Sequence, residues 1–124
     1  MELNDYQQKA MKTCMPTCDN FSYMFINLVG EVGELASKVA KAIRKDDATI
    51  GCKFYTAMSG DENKLFIKQD YREDIMKEAG DILWQLSGLC TVMGWDLEQI
   101  ASMNLTKLAS RQKRGVIDGN GDNR

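Results

Sequence analysis

The sequence predicts an all-α protein, a four-helix-type bundle, and three observations support this. Apolar residues recur at helical spacing, capping and turn residues flank the apolar segments, and one segment is apolar nearly all round. The 124 residues are enough for one domain, which at this size buries roughly two-thirds of its unfolded surface. We therefore expect a single helical domain that needs no disulfide or structural metal.

The first half of the chain contains two predicted helices. The first spans about residues 4–12, and Pro16 lies in the connection after it. The second begins after Asp19 or Asn20, either of which is a candidate N-cap, and ends near Lys45. Its predicted apolar face consists of Phe25, Leu28, Val29, Val32, Leu35, Val39 and Ile43. A polar stripe steps along the same helix by four and three residues through Asn27, Glu31, Glu34, Lys38 and Lys41.

The second half contains two more predicted helices. A helix over about residues 71–93 is apolar on nearly every side from Ala79 onward, which is typical of a central, buried helix. Gly94 ends it, and Asp96 with Gln99 forms a capping box for a fourth helix that reaches Lys113. The residues that we expect this fourth helix to bury are Leu97, Ile100, Ala101, Leu105 and Leu108.

Two segments depart from the helical pattern. Residues 46–69 are an insertion in which alternating apolar residues flank a turn-rich stretch, so we predict a small β-hairpin, with a mobile lid as the alternative. The helical domain is thus predicted over residues 1–113. Residues 114–124 form a basic, glycine-rich tail that we expect to be flexible unless a ligand or partner chain orders it.

Composition restricts the partners. Sixteen basic and eighteen acidic residues give a net charge of -2, which offers no general attraction to nucleic acid polymers or membranes. We find no signal peptide and no apolar run of the roughly 18 residues that a membrane span requires. The four cysteines lack zinc-finger or CxxC spacing, so we expect reduced thiols and a cytoplasmic protein.

Two acidic motifs point to a metal site. Glu31 and Glu34, like Glu78 and Asp81, are three residues apart in an otherwise apolar helix, which stacks each pair on one helix face. Carboxylates brought together by two packed helices repel at roughly 4 kcal/mol per pair 4 Å apart for an effective dielectric near 20, so a cation is needed among them. Oxygen ligands favour Mg²⁺, with Mn²⁺ as a substitute. The absence of histidine disfavours ferritin-like di-iron sites and imidazole-dependent zinc sites.

Glycines precede the acids of both motifs. Gly30, Gly33 and Gly80 each stand directly before a motif carboxylate, although glycine inside a helix costs about 1 kcal/mol relative to alanine. One explanation is close helix approach or room for a substrate beside the carboxylates. The other is a tight helix crossing without any functional role.

A carboxylate-held Mg²⁺ suits attack on a phosphoanhydride, because it polarises phosphoryl oxygens and stabilises a departing pyrophosphate. Basic and amide side chains are then needed for the remaining phosphates. The candidate substrate-binding residues are Asn27, Lys38, Lys41, Asn104, Lys107, Arg111 and Arg114. An ordinary solvated helix surface is the alternative interpretation for these residues, including Lys38.

These motifs resemble those of the MazG-like all-α nucleoside triphosphate pyrophosphohydrolases. The segments that carry the resemblance are LVGEVGEL, EAGDILWQLSGLCTVMGWDLEQI, NLTKLASR and RGVIDGNGDNR. The resemblance implies Mg²⁺-dependent hydrolysis of a nucleoside triphosphate, often a deoxy one, between the α and β phosphates. It also implies dimers or tetramers of helical bundles. The catalytic and metal-binding residues that it implies are Glu31, Glu34, Glu78 and Asp81, one of which also orients the attacking water.

Two alternatives from other classes stay open. The chain could be a non-catalytic, nucleotide-sensing helical module that only holds a metal–nucleotide complex, or a structural helical oligomer whose acids pair with Lys38, Lys41 or Lys107. The motif halves are separated by more residues than is usual in the resembled family.

Overall fold

The all-α prediction is confirmed by a computed structural model of the chain, which describes residues 1–45, 48–49, 66–67, 69–121 and 123. The described residues form four α-helices, and every helix begins and ends within two residues of its predicted position. The helices are α1 (Leu3–Met11), α2 (Phe21–Arg44), α3 (Gln69–Val92) and α4 (Leu97–Lys113), with a 3₁₀ turn at Pro16–Cys18. None of the described helices is long and apolar enough to cross a membrane.

The chain divides into two compact units. The first consists of Met1–Phe21 and Ser87–Arg124, and the second of Ser22–Leu86. The division into a helical domain over residues 1–113 and a separate tail stays a prediction.

Gln7 on α1 holds the first unit together. Only 7% of this residue is exposed. Its Nε2 donates to Thr91 Oγ1 at 3.0 Å and to the Trp95 carbonyl at 2.9 Å, and its Oε1 accepts the Leu97 N–H at 2.8 Å. An unpaired buried amide would destabilise the fold, and these three hydrogen bonds offset the loss of hydration when Gln7 is buried.

The N-terminus of α4 is capped from α1, and the predicted capping box is wrong on this point. Asp96 is the N-cap residue, but its side chain makes no capping hydrogen bond. The first two helical N–H groups are accepted by other side chains: Leu97 N–H by Gln7, and Glu98 N–H by Asn4 Oδ1 at 3.1 Å. Side-chain oxygens from the distant helix α1 thus cap α4 in place of the local Asp96 carboxylate. Sequence spacing alone does not reveal such long-range caps.

Left-handed glycines end α3 and α4. Gly94 has φ +71 and follows α3, as predicted, and Gly115 has φ +68 and follows α4. After α4 the Val116 N–H donates back to the Arg111 carbonyl at 3.0 Å. Glycine adopts this conformation without the Cβ clash that other residues meet, so it stops a helix cleanly.

The predicted apolar faces are less buried within the single chain than we expect from the sequence. Among residues whose burial the structure describes, the buried apolar ones are Met24, Ala42, Cys90 and Leu97. Predicted core residues that are instead 41–68% exposed are Phe25, Val29, Val32 and Ile43 on α2, with Leu105 and Leu108 on α4. On α3, Leu83 is also exposed, so this helix is not buried all round. Helical periodicity identifies an apolar face, but it does not show what covers that face.

Two short strands lie between α2 and α3. Ala48–Thr49 and Phe66–Ile67 pair antiparallel, with Ala48 opposite Ile67 and Thr49 opposite Phe66. Residues 50–65, which include the predicted turn, lie outside the described residues. The β-hairpin and the lid therefore stay predictions.

Replacing Gln7 tests its role in the first unit. We expect Gln7→Ala to lower the free energy of unfolding by about 2–3 kcal/mol, because it removes three hydrogen bonds and leaves a buried helical N–H unpaired. Urea denaturation provides the measurement. The exposed neighbour Gln8 offers a matched control, since Gln8→Ala is expected to change stability by less than about 0.5 kcal/mol. Equal effects of the two substitutions would contradict this role.

Candidate metal centre

Helices α2 and α3 bring three carboxylates together in the second unit. Oxygens of Glu31, Glu78 and Asp81 lie within 4.8 Å of one another. Glu31 and Glu78 are half-buried, and Asp81 is exposed. We call these three residues the carboxylate cluster. An all-oxygen set suits a hard divalent cation such as Mg²⁺, which completes its shell with water or phosphate oxygens.

Glu34, the fourth predicted acid, is not a member of this cluster. It lies one helical turn beyond Glu31 on α2 and is exposed. Its predicted roles in metal binding and catalysis stay predictions.

The environment of Glu31 makes its ionised form costly. Burial is the largest cause that raises the pKa of Glu31 above its ordinary value of 4.5, and the hydrogen bond from Asn27 opposes it. The negative charges of Glu34, Asp81 and Glu78 raise this pKa further. A divalent cation would offset both burial and repulsion, so the cluster is better suited to holding a metal than to standing alone.

Lys38 supplies a positive charge beside the cluster. Its Nζ lies 3.6 Å from Glu78 Oε1, and the Lys38 side chain is 41% exposed whereas that of Glu78 is 12% exposed. This pairing reduces the repulsion among the carboxylates without removing it, because three acidic side chains of the cluster face one lysine and Glu34 adds a further negative charge near Glu31.

Asn27 and Gln85 support the cluster from the interior. Asn27 Nδ2 donates to Glu31 Oε1 at 2.9 Å and to Gln85 Oε1 at 3.0 Å. Gln85 is 1% exposed, and our sequence analysis missed it. The available signal was a single amide within the apolar stretch of α3, because a buried amide must find partners.

Other predicted substrate-binding residues lie elsewhere. Lys41 is exposed on α2 in the second unit. Asn104 and Lys107 are in the first unit, where they line a cavity of about 460 Å³ with Ile100 and Met103. The described contacts thus group Asn27 and Lys38 with the carboxylates, and Asn104 with Lys107.

The two predicted arginines of the first unit contact their own segment of the chain. Arg111 is 5% exposed, and its Nη2 donates to the Gly121 carbonyl at 3.4 Å. Arg114 Nε donates to Ser110 Oγ at 3.2 Å. Arg111 is therefore covered rather than presented on an open helix face.

The motif glycines do not mark a tight helix crossing in the described part of the chain. A Cβ added at Gly33 or Gly80 would meet no atom within 4 Å, and at Gly30 the nearest atom would be Asn27 Oδ1 at 3.6 Å. The explanation by close helix approach is therefore wrong for these residues. The explanation by room for a substrate beside the carboxylates stays a prediction.

Comparison with known proteins identifies the family to which this helical chain belongs. The family model for the MazG nucleotide pyrophosphohydrolase domain matches residues 20–116, which include the whole carboxylate cluster. The chain therefore belongs to the MazG nucleotide pyrophosphohydrolase domain family. The chain is 35% identical to the Gene 37 protein of Mycobacterium phage L5 over 131 aligned residues that cover both chains in full. No solved structure gives a significant match.

Replacing Glu31 by its amide should stabilise the metal-free protein. Because the folded-state pKa of Glu31 is raised, stability is lost as the pH rises from the unfolded value of 4.5 through the folded one. Glu31→Gln avoids this loss and still offers an oxygen to Asn27. In EDTA at about pH 7.5 we expect its melting temperature to exceed that of the wild type by a few degrees.

The difference should shrink at about pH 4, where the wild-type Glu31 is largely protonated as well. The exposed Glu2→Gln variant is the control for a general change of charge. A melting temperature for Glu31→Gln below that of the wild type at neutral pH would contradict the account of the cluster.

Proposed function

We propose that the chain hydrolyses nucleoside triphosphates, including deoxy forms, between the α and β phosphates to a nucleoside monophosphate and pyrophosphate. The observation that carries this proposal is the carboxylate cluster of Glu31, Glu78 and Asp81 in a chain of the MazG family. These three residues would hold Mg²⁺, or Mn²⁺ as a substitute. A bound Mg²⁺ would supply positive charge to the phosphoryl oxygens and the leaving pyrophosphate.

We assign Glu34 a separate role, the orientation of the attacking water. Its carboxylate is exposed and outside the cluster, and it lies on the same helix as Glu31. A carboxylate that does not bind the metal keeps an oxygen available to accept a proton from water. In this proposal three of the four motif acids hold the metal ion and the fourth orients the water.

Basic side chains would bind the phosphates. Lys38 is already beside the cluster, and Lys41 follows it on α2. Asn104 and Lys107 are proposed to contact phosphate or sugar from the cavity on α4. Arg111 and Arg114 are also proposed to bind substrate, and Arg111 would have to exchange the Gly121 carbonyl for a phosphate oxygen.

We also propose that the chain acts as a homodimer or homotetramer in the cytoplasm. Ile26, Val29 and Val32 on α2 are 69%, 63% and 48% exposed in the single chain. An apolar surface of this kind marks an interaction site, and a second copy would cover it.

Light scattering tests the oligomer. The wild type should have the mass of two or four chains, whereas Val29→Glu, which places a charge on this surface, should shift the protein toward the monomer. Ser37→Glu adds the same charge at another exposed position of α2 and should leave the mass unchanged. A monomeric wild type would contradict the proposal.

The reaction is tested with a panel of ribo- and deoxynucleoside triphosphates, with monophosphate, pyrophosphate and orthophosphate quantified. We expect Mg²⁺-dependent release of pyrophosphate. Asp81→Asn should reduce turnover by at least about 100-fold, since loss of an outer-shell partner alone costs 10–100-fold. Asp74→Asn is the matched control, because Asp74 is on the same helix and contacts Lys77 instead of the cluster.

Turnover in this assay, together with the Mn²⁺ affinity of the protein measured without nucleotide, separates Glu34 from the metal ligands. Glu34→Gln should lower kcat by about 10²–10⁴-fold while the protein keeps its affinity for Mn²⁺. Asp81→Asn should lower both turnover and that affinity. Release of orthophosphate would show that a different bond is cleaved, and saturable nucleotide binding without turnover would favour the nucleotide-sensing alternative.

A further inference from the structure

We infer that Gln85 is a positioning residue for the metal centre, acting through Asn27 to fix the orientation of Glu31. The inference rests on the proposed metal-binding function of the cluster. It assigns a role to a residue that has no contact with the cluster of its own among the described hydrogen bonds.

Gln85 has a fixed orientation because of its contacts with α2. Its Nε2 donates to the Met24 carbonyl at 3.2 Å and lies 3.1 Å from Met24 Sδ. Both Gln85 and Met24 are almost completely buried, so water does not compete for these groups. A carbonyl and a thioether sulfur can only accept hydrogen bonds, and the Gln85 amide must therefore turn its NH₂ group toward Met24.

This orientation determines the next two contacts. With its NH₂ group on Met24, Gln85 presents Oε1 to Asn27, and an oxygen requires a donor. Asn27 must therefore present Nδ2, whose other hydrogen is directed to Glu31 Oε1 at 2.9 Å. The direction of every bond in this series follows from the backbone carbonyl of Met24. We call Met24, Gln85 and Asn27 the amide relay.

The amide relay has two consequences for Glu31. It holds one carboxylate oxygen in place, which leaves the other oxygen available to a cation. It also stabilises the ionised carboxylate with a charge-assisted hydrogen bond, in opposition to burial. Partners that orient a metal ligand in this way typically change metal affinity by 10–100-fold.

The same geometry changes the interpretation of Asn27. Both hydrogens of its Nδ2 are used, one on Glu31 and one on Gln85. The remaining Oδ1 only accepts hydrogen bonds, as phosphate oxygens do, so Asn27 is poorly suited to binding phosphate directly. Its position in the polar stripe of α2 is explained by orientation of Glu31.

The test measures Mn²⁺ binding to the full chain without nucleotide, by electron paramagnetic resonance of free Mn²⁺. Gln85→Met keeps the side-chain length but removes the amide, and Asn27→Leu removes the donor at a half-buried position. Each should weaken Mn²⁺ binding by about 10–100-fold. Because both act on the same oxygen of Glu31, the double variant should bind no more weakly than Asn27→Leu.

Ala42→Gly controls for lost stability. Ala42 is fully buried in α2 and takes no part in the amide relay, so this variant lowers stability by about 1 kcal/mol and should keep wild-type Mn²⁺ affinity. Circular dichroism establishes that each variant is folded, and Asn27→Leu decides the matter where Gln85→Met does not fold. Wild-type affinity in folded Asn27→Leu or Gln85→Met would overturn the relay and leave the proposed function intact. A wild-type protein that does not bind Mn²⁺ would overturn both.

Discussion

Repulsion among carboxylates on neighbouring helices is the constraint on which the rest of this site depends. Glu31, Glu78 and Asp81 have oxygens within 4.8 Å of one another, and burial of Glu31 adds to the cost of ionisation. A fold that only needed to be stable would separate such charges or pair each one. Among the described residues, Lys38 and the half-buried Asn27 amide instead contact the cluster, which reduces the repulsion and leaves negative charge for a cation.

Buried amides have the same structural role in both units. Gln7 ties α1 to the α3–α4 connection and to the N-terminus of α4, and Gln85 ties α3 to α2. Each is buried because donors and acceptors are matched at both ends of the amide group. Few apolar residues in the described part of the chain are fully buried, so these directional contacts specify how the helices of each unit meet. Through Asn27, Gln85 is also connected to Glu31 of the carboxylate cluster, which links packing to the proposed chemistry.

The sequence predicted the parts of the fold that are local. The helix bounds follow from the spacing of apolar residues. The end of α3 follows from Gly94, because glycine readily adopts the left-handed conformation found there. The capping of α4 by Gln7 could not be predicted, because its partners are about 90 residues away in the chain and Asp96 offered a local solution. The exposed residue Val29 shows the same limit, since periodicity does not say what covers a face.

Sequence spacing anticipates the carboxylate cluster only in part, and the roles of its residues stay predictions. A spacing of three places two acids on one helix face, but they still differ by about 60° around the axis and 4.5 Å along it. That difference is compatible with Glu78 and Asp81 sharing the cluster while Glu34 stays outside it. The role of Gln85 was not predicted, because it depends on hydrogen-bond partners on α2 that the sequence does not identify.

The most direct test of the central claim is anomalous diffraction from crystals grown with Mn²⁺. We expect a peak at the carboxylate cluster, within coordination distance of oxygens from Glu31, Glu78 and Asp81. Mn²⁺ bound at other residues, with the cluster still paired to Lys38 alone, would contradict it.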